Sequence, residues 1–173
     1  GFDLYCEMVT EAIGELNGEE KQEIKDVTID IVGDALLPED YIAKQDHRFD
    51  IYRRLSTALT NEEVQNIEEE LRDRYGPLPN AAKELIELSK VRVLSQQVGI
   101  ESIVTARDSL RLIGAELPQS KQIRLQRIYP NSIYKPPHVL GPSEIVVKVP
   151  ADKKQSEYIF ELISEVFELD QLA

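Results

Sequence analysis

Glu70 and Asp73 stand three positions apart in a stretch with helical spacing, so they are neighbours on one helix face. Two adjacent carboxylates of this kind can receive the guanidinium or ammonium groups of a partner. With Val64 at zero on a wheel of about 100° per residue, Ile67, Leu71 and Tyr75 fall within about 60° of it and mark the buried side. The opposite side collects Glu62, Glu63, Asn66, Glu69, Glu70 and Asp73, with Arg72 and Arg74 rotated toward the flanks. Glu62 and Glu63 suit the positive N-terminal end of the helix dipole, whereas Asp73 stands near the negative end, so helix stability does not account for it. A solvated face of an acidic protein would show the same pattern without any partner.

A second feature reverses the charge. Between Glu116 and Glu144 there is no acidic residue, while Lys121, Arg124, Arg127 and Lys135 fall inside, with Tyr129 and Tyr134 among them. If the segment is helical, the first three cations lie roughly along one side and could meet phosphate or an acidic partner. Four cations support only weak, salt-sensitive affinity, and pairing with surplus Glu elsewhere in the chain explains them equally well.

The rest of the sequence removes most other chemistry. Lys and Arg number 20 against 32 Asp and Glu, a net charge of −12, with a pI near 4.7, which speaks against a general nucleic-acid binder and makes direct DNA binding an unexpected activity. Cys6 is the only cysteine, which leaves no intramolecular disulfide and no Cys-based zinc site. There is no phosphate-binding Gly-Lys-Ser/Thr loop, no dinucleotide fingerprint and no His-Glu-x-x-His pattern. His47 and His138 have no ligand-spaced partner, and Ser56, Ser89 and Ser95 occupy no strand-to-helix elbow. The expectation is a chain with no catalysis, cofactor or metal of its own. No apolar run approaches the roughly 18 residues of a spanning helix and no leader pattern opens the chain, so it reads as soluble and cytoplasmic with no membrane partner.

The elements that must carry these features follow from periodicity. Phe2, Tyr5, Met8, Val9, Ala12, Ile13 and Leu16 form an amphipathic stripe already under way at Gly1, as in a piece of a longer chain, and Gly18 with the polar run after it closes that stripe. Residues 1–26 are therefore read as a connecting helix and linker, and 27–173 as the domain proper. Val27, Ile29 and Ile31 alternate as a strand; a helix is expected from about Asp46 to Leu59. Thr60 and Glu63 have capping-box spacing for the next helix, which Gly76, Pro77 and Pro79 stop near Tyr75. Another helix runs from Pro79 to Gly99, followed by a hairpin turning at Asp108 and Ser109. Residues 119–128 fit either helix or strand, 133–140 an edge strand or loop because of Pro136 and Pro137, and Ile145, Val147 and Val149 a strand. Asp152 with Gln155 is expected to cap a final helix. The irregular interleaving gives α+β, several helices packed on a small, mostly antiparallel sheet.

Three runs carry a resemblance: Leu37-Pro38-Glu39-Asp40-Tyr41-Ile42, Arg48-Phe49-Asp50-Ile51-Tyr52-Arg53-Arg54-Leu55, and Glu69-Glu70-Leu71-Arg72-Asp73-Arg74-Tyr75-Gly76-Pro77-Leu78-Pro79. They resemble the C-terminal domain of the bacterial transcription-repair coupling factors, and the opening Gly1 to Met8 is similar to the segment that leads into that domain from the family's helicase-like motor. The similarity is most specific over residues 37–99 and loosest over 100–144. It implies a regulatory domain outside the ATP- and magnesium-dependent motor, one that masks the UvrA-binding surface of a UvrB-like domain in the same polypeptide until stalled RNA polymerase is engaged. Glu70 and Asp73 match the family's masking carboxylates, which pair with arginines of the UvrB-like domain. An accessory nucleic-acid-contacting module using Lys121, Arg124, Arg127 and Lys135, or a structural cap of the motor, are the alternatives.

Overall fold

In the computed structural model the described residues are 26–31 and 33–169. The stripe from Phe2 to Leu16 and the connector after it lie outside them. The elements run β1 (Thr28–Asp30), α1 (Gln45–Thr57), α2 (Asn61–Tyr75), α3 (Asn80–Val98), β2 (Ser102–Ala106), β3 (Ser109–Ile113), α4 (Gln119–Ile128), β4 (Ile133–Lys135), β5 (Glu144–Lys148) and α5 (Gln155–Phe167). The sheet order is β1-β2-β3-β5-β4. Among the described residues only β1 and β2 pair in parallel; the other three strand pairings are antiparallel. This is the α+β class with a mostly antiparallel sheet that the sequence leads one to expect.

The described chain divides into two compact units, residues 33–93 and residues 26–31 with 94–169. The sequence reading drew no division inside 27–173. The reason is topological: a parallel pair needs a long crossover, and here the whole first unit lies in sequence between β1 and β2.

In the first unit, Ile42, Ile51, Leu55, Val64, Ile67, Leu71, Leu85 and Ile86 are buried together in one apolar cluster. Helix α2 starts where its sequence says it should: Thr60 Oγ1 accepts from the Glu63 N–H at 3.2 Å. The Glu63 carboxylate accepts from the Leu59 N–H at 2.9 Å, one residue earlier than a standard capping box. The helix ends at Gly76, whose φ of 84° is open to glycine and strained for other residues, and whose N–H bonds to the Arg72 carbonyl. Inside the unit lies a group the periodicity did not reveal. Arg92 of α3 is 2% exposed, and its Nη2 donates to the carbonyls of Leu55 and Ala58, each at 2.8 Å. Those carbonyls belong to the C-terminal end of α1, where backbone acceptors lack helical partners and a cation is favoured.

In the second unit, Ile29, Ile103, Leu112 and Ile145 sit side by side across the register, with Leu110 beside Val147, and all are buried. Leu125 of α4 and Ile159, Leu162, Ile163 and Val166 of α5 are the buried helical contribution. Residues 119–128 are helical, which separates buried Leu125 from Ile123, 61% exposed; a strand would have put both on one side. The hairpin turns one residue earlier than expected, on Arg107 and Asp108, with Arg107 at φ 59°. Strand β4 is an edge strand ending at the Pro136-Pro137 pair. The expected Asp152 cap is not formed: the N-cap residue of α5 is Lys154, without a side-chain bond.

Replacing Arg92 by Met removes a buried charged donor from two carbonyls that water cannot easily reach. The Arg92→Met chain should lose on the order of 2–4 kcal/mol of stability in urea denaturation followed by circular dichroism. A loss under about 0.5 kcal/mol would show that those carbonyls find other donors.

Candidate functional site

The C-terminal turn of α2 is held from several sides. The Tyr41 hydroxyl lies 2.9 Å from the Gly76 carbonyl and 3.1 Å from that of Leu71. Its ring meets Tyr75 edge-on at 5.8 Å between centroids. The Tyr75 hydroxyl is 3.1 Å from His47 Nδ1, and the Arg74 guanidinium lies 5.1 Å from the centre of the Tyr75 ring. Burial pushes the Tyr41 hydroxyl's ionisation up, partly opposed by Arg72 and reinforced by Tyr75. The run Asp73-Arg74-Tyr75-Gly76 thus sets the orientation of the last helical turn.

Within α2 the carboxylates fall into two groups. Glu68 is bound by Arg72 at 2.7 Å and Lys90 at 3.5 Å. Glu70, one of the two central residues expected from the sequence, is engaged inside its own unit: Arg54 of α1 approaches Oε2 to 2.5 Å and Arg74 approaches Oε1 to 3.5 Å. The Arg54 contact is an ion pair without the direction of an aligned hydrogen bond, since Oε2 of Glu70 has no bond of good geometry. Arg54 also reaches Asp50 at 3.8 Å, so α1 and α2 share a small charge network. Glu63 is occupied at the helix start.

The second group faces outward. Glu62, Glu69 and Asp73 are exposed with Asn66 among them, and Glu63, though bonded to the Leu59 N–H, is exposed as well. On the wheel, Glu62, Asn66, Glu69 and Asp73 form a stripe opposite buried Val64 and Leu71, while Glu70 and Glu63 lie on the flank. Asp73 makes no ion pair among the described residues. The acidic face is therefore narrower than the sequence suggests, because a tertiary partner on α1 takes Glu70. The i,i+4 pairs Glu68–Arg72 and Glu70–Arg74 are legible in sequence; Arg54–Glu70 is not, since it depends on how two helices lie together.

Two of the four cations of the basic segment are neutralised within its unit. Lys121 Nζ is 2.5 Å from Glu168, and Arg124 is 3.4 Å from the same carboxylate. Lys121 first, then Arg124, hold Glu168 below the usual carboxylate range. Arg124 Nε also donates to the Glu165 carbonyl at 2.5 Å. Arg127 and Lys135 are exposed and form no ion pair among the described residues. The second sheet face carries a two-pronged ion pair between Arg111 and Glu144, and that contact lowers the ionisation of Glu144. Among the described residues there is no cluster of three or more metal-ligating side chains and no helix long and apolar enough to cross a membrane.

Comparison with known proteins places this geometry in a family. Residues 31–126 match the model of the TRCF domain. The chain is 39% identical over 147 residues to the transcription-repair-coupling factor of Mycobacterium tuberculosis, covering 78% of the chain and 12% of that protein. Against the factor of Bacillus subtilis the identity is 34% over 130 residues, 75% of the chain and 11% of the relative. A solved structure of the C-terminal domain of a transcription-repair coupling factor has the same fold, with a TM-score of 0.69, 21% identity, and coverage of 83% of this chain and 92% of that one. The chain thus spans about an eighth of the length of the relatives it matches.

Tyr129 gives this region a pH signature. Its hydroxyl donates to Glu165 Oε2 at 3.0 Å, and burial first, then that carboxylate, push its ionisation far above the ordinary value of 10.0. The neutral hydroxyl's contribution is complete below the unfolded value and is lost only as pH rises through the raised one. In an alkaline absorbance titration Tyr41, Tyr158 and Tyr129 should ionise late, Tyr129 last and near unfolding, and Tyr129→Phe should remove that final phase. Ionisation of all seven tyrosines in one early step would contradict it.

Proposed function

The chain belongs to the transcription-repair coupling factor family, and from that premise we propose that it is a non-catalytic, autoinhibitory C-terminal domain that covers the UvrA-binding surface of a UvrB-like domain in its own parent polypeptide. The supporting observation is the exposed stripe of α2. Asp73 sits where the helix dipole disfavours a carboxylate, has no ion-pair partner among the described residues, and stands in a turn fixed by Tyr41, Tyr75 and His47. A residue so placed serves contact with something outside the fold.

The internal bonds change the weight of each residue. Asp73 is the principal docking carboxylate, with Glu69, Glu62 and Asn66 beside it. Glu70 takes part by exchange, releasing Arg54 or Arg74 to accept an external guanidinium. Such a lid needs little energy. A domain closed 99% of the time requires about 2.7 kcal/mol, and tethering at an effective concentration on the order of millimolar lets an intrinsic Kd of about 10 μM suffice. A much tighter contact would slow release when polymerase engages.

The nucleic-acid module has less to work with, because two of its four cations, Lys121 and Arg124, are committed to Glu168. Asp73→Arg in the full-length protein should raise UvrA affinity roughly tenfold or more, in line with truncation of a desolvated charge pair. Glu70→Arg should act in the same direction while also disturbing Arg54, so its isolated domain should melt lower than that of Asp73→Arg. Unchanged UvrA binding by a folded Asp73→Arg protein would remove the proposal.

A further inference from the structure

Arg54 of α1 stands between two carboxylates. Its Nη1 lies 2.5 Å from Oε2 of Glu70 on α2 and 3.8 Å from Oδ2 of Asp50, one turn back on its own helix. Arg53, beside it, holds the other Asp50 oxygen at 2.6 Å. Glu70 Oε1 has Arg74 at 3.5 Å, a guanidinium that also lies 5.1 Å from the centre of the Tyr75 ring. Three cations and two carboxylates thus form one network across the α1–α2 seam, and Arg54 is the member that links the two helices.

The contact at the centre of this network is imperfectly made. Oε2 of Glu70 is closed to water and has no hydrogen bond of good geometry, so the approach of Arg54 balances its charge and leaves its lone pairs without an aligned donor. The side chain as a whole is 32% exposed, enough to pivot outward. What Glu70 gives up in turning is small, since partly exposed ion pairs hold weakly, and a two-pronged guanidinium arriving from outside offers the aligned bonds it lacks. Arg54 loses little in the same step, because Asp50 is already within 3.8 Å to receive it. Asp73 forms no ion pair among the described residues, so it meets a partner without any such exchange.

Resting on the reading of α2 as the docking face of a lid, we propose that Arg54 is an internal competitor for Glu70 and Asp50 its resting place, two positioning residues that set how tightly the lid closes. While Arg54 holds Glu70, the docking face offers Asp73 and the other exposed acids of its stripe. When Arg54 moves to Asp50, Glu70 joins Asp73 three residues away on the helix surface. The incoming guanidinium supplies the positive charge that Arg54 withdraws, so the carboxylate is never left uncompensated. The competition holds down the strength of closure, as a contact that must reopen requires.

The test compares Arg54→Met, Asp50→Asn and Asp73→Arg in the full-length protein, each with and without Glu70→Gln and each in protein of unchanged circular dichroism. Arg54→Met should lower UvrA affinity about threefold and Asp50→Asn raise it about twofold, shifts of the size that partly exposed pairs confer. Both should vanish in the Glu70→Gln background. In the 173-residue chain alone, carbodiimide labelling of Glu70 should rise with Arg54→Met and fall with Asp50→Asn. Unmoved labelling of Glu70, or UvrA shifts that persist with Glu70→Gln as a general charge effect, would overturn the competition. Asp73→Arg raising UvrA affinity while Arg54→Met and Asp50→Asn leave it unchanged would overturn the competition and leave the lid standing, whereas silence of all three would remove the lid and the competition with it.

Discussion

The guanidinium of Arg92 bonds to the last carbonyls of α1 from inside the first unit, and this tie governs how the acidic helix is presented. Leu55 and Ala58 are fixed by it, and only Leu59 separates Ala58 from the Thr60 cap that begins α2. The connection between the helices is therefore pinned at both ends, which leaves α2 little freedom to roll about its axis. A roll of one residue would turn it by about 100° and carry Asp73 toward a flank. Burying a guanidinium is costly, and good bonds to otherwise unsatisfied helix-end acceptors are the circumstance in which that cost is offset.

With the roll set, the charges of α2 divide by position. Carboxylates near the seam with α1 and α3 find cations: Glu70 meets Arg54, and Glu68 meets Lys90. Those on the far side, Glu62, Glu69 and Asp73, form no ion pair among the described residues. The surface network around Glu70 contributes little to stability, since partly exposed ion pairs are worth about 0–1 kcal/mol. Its consequence is positional. It occupies Glu70 on the flank and leaves Asp73, in the helical turn whose Tyr75 and Gly76 meet Tyr41, as the carboxylate without an ion-pair partner among the described residues. The second unit resolves part of its charge differently, by pairing Lys121 and Arg124 with Glu168, so half of the basic run is neutralised within the fold.

Much of this is readable from residue order, and most of what is not depends on tertiary neighbours. The helices from Gln45 to Val98 follow from apolar spacing, a Thr cap and a Gly-Pro stop, all local signals. The strand pairs Ile103–Leu112 and Leu112–Ile145 follow from alternation. Residues 119–128 are ambiguous in sequence because Ile123, Leu125 and Arg127 also alternate as in a strand, and the difference lies in tertiary burial, which takes in Leu125 and leaves Ile123 exposed. Arg92 was invisible, since a charged residue on a helix reads as solvent-facing until a carbonyl from another helix is seen opposite it. Arg54–Glu70 was hidden for the same reason. The Asp152 cap failed because spacing cannot tell a cap from a nearby turn.

The claim most exposed to experiment is that Glu62, Glu69 and Asp73 are open to solvent in the isolated domain and covered in the parent protein. Carbodiimide labelling of carboxylates with glycine ethyl ester, read residue by residue by mass spectrometry, compares the two directly. Ready labelling of all three is expected in the 173-residue chain, with protection of Glu62, Glu69 and Asp73 in the full-length protein, strongest at Asp73, and loss of that protection once polymerase and DNA are engaged. Equal labelling of Asp73 in the isolated chain and in the resting full-length protein would contradict it.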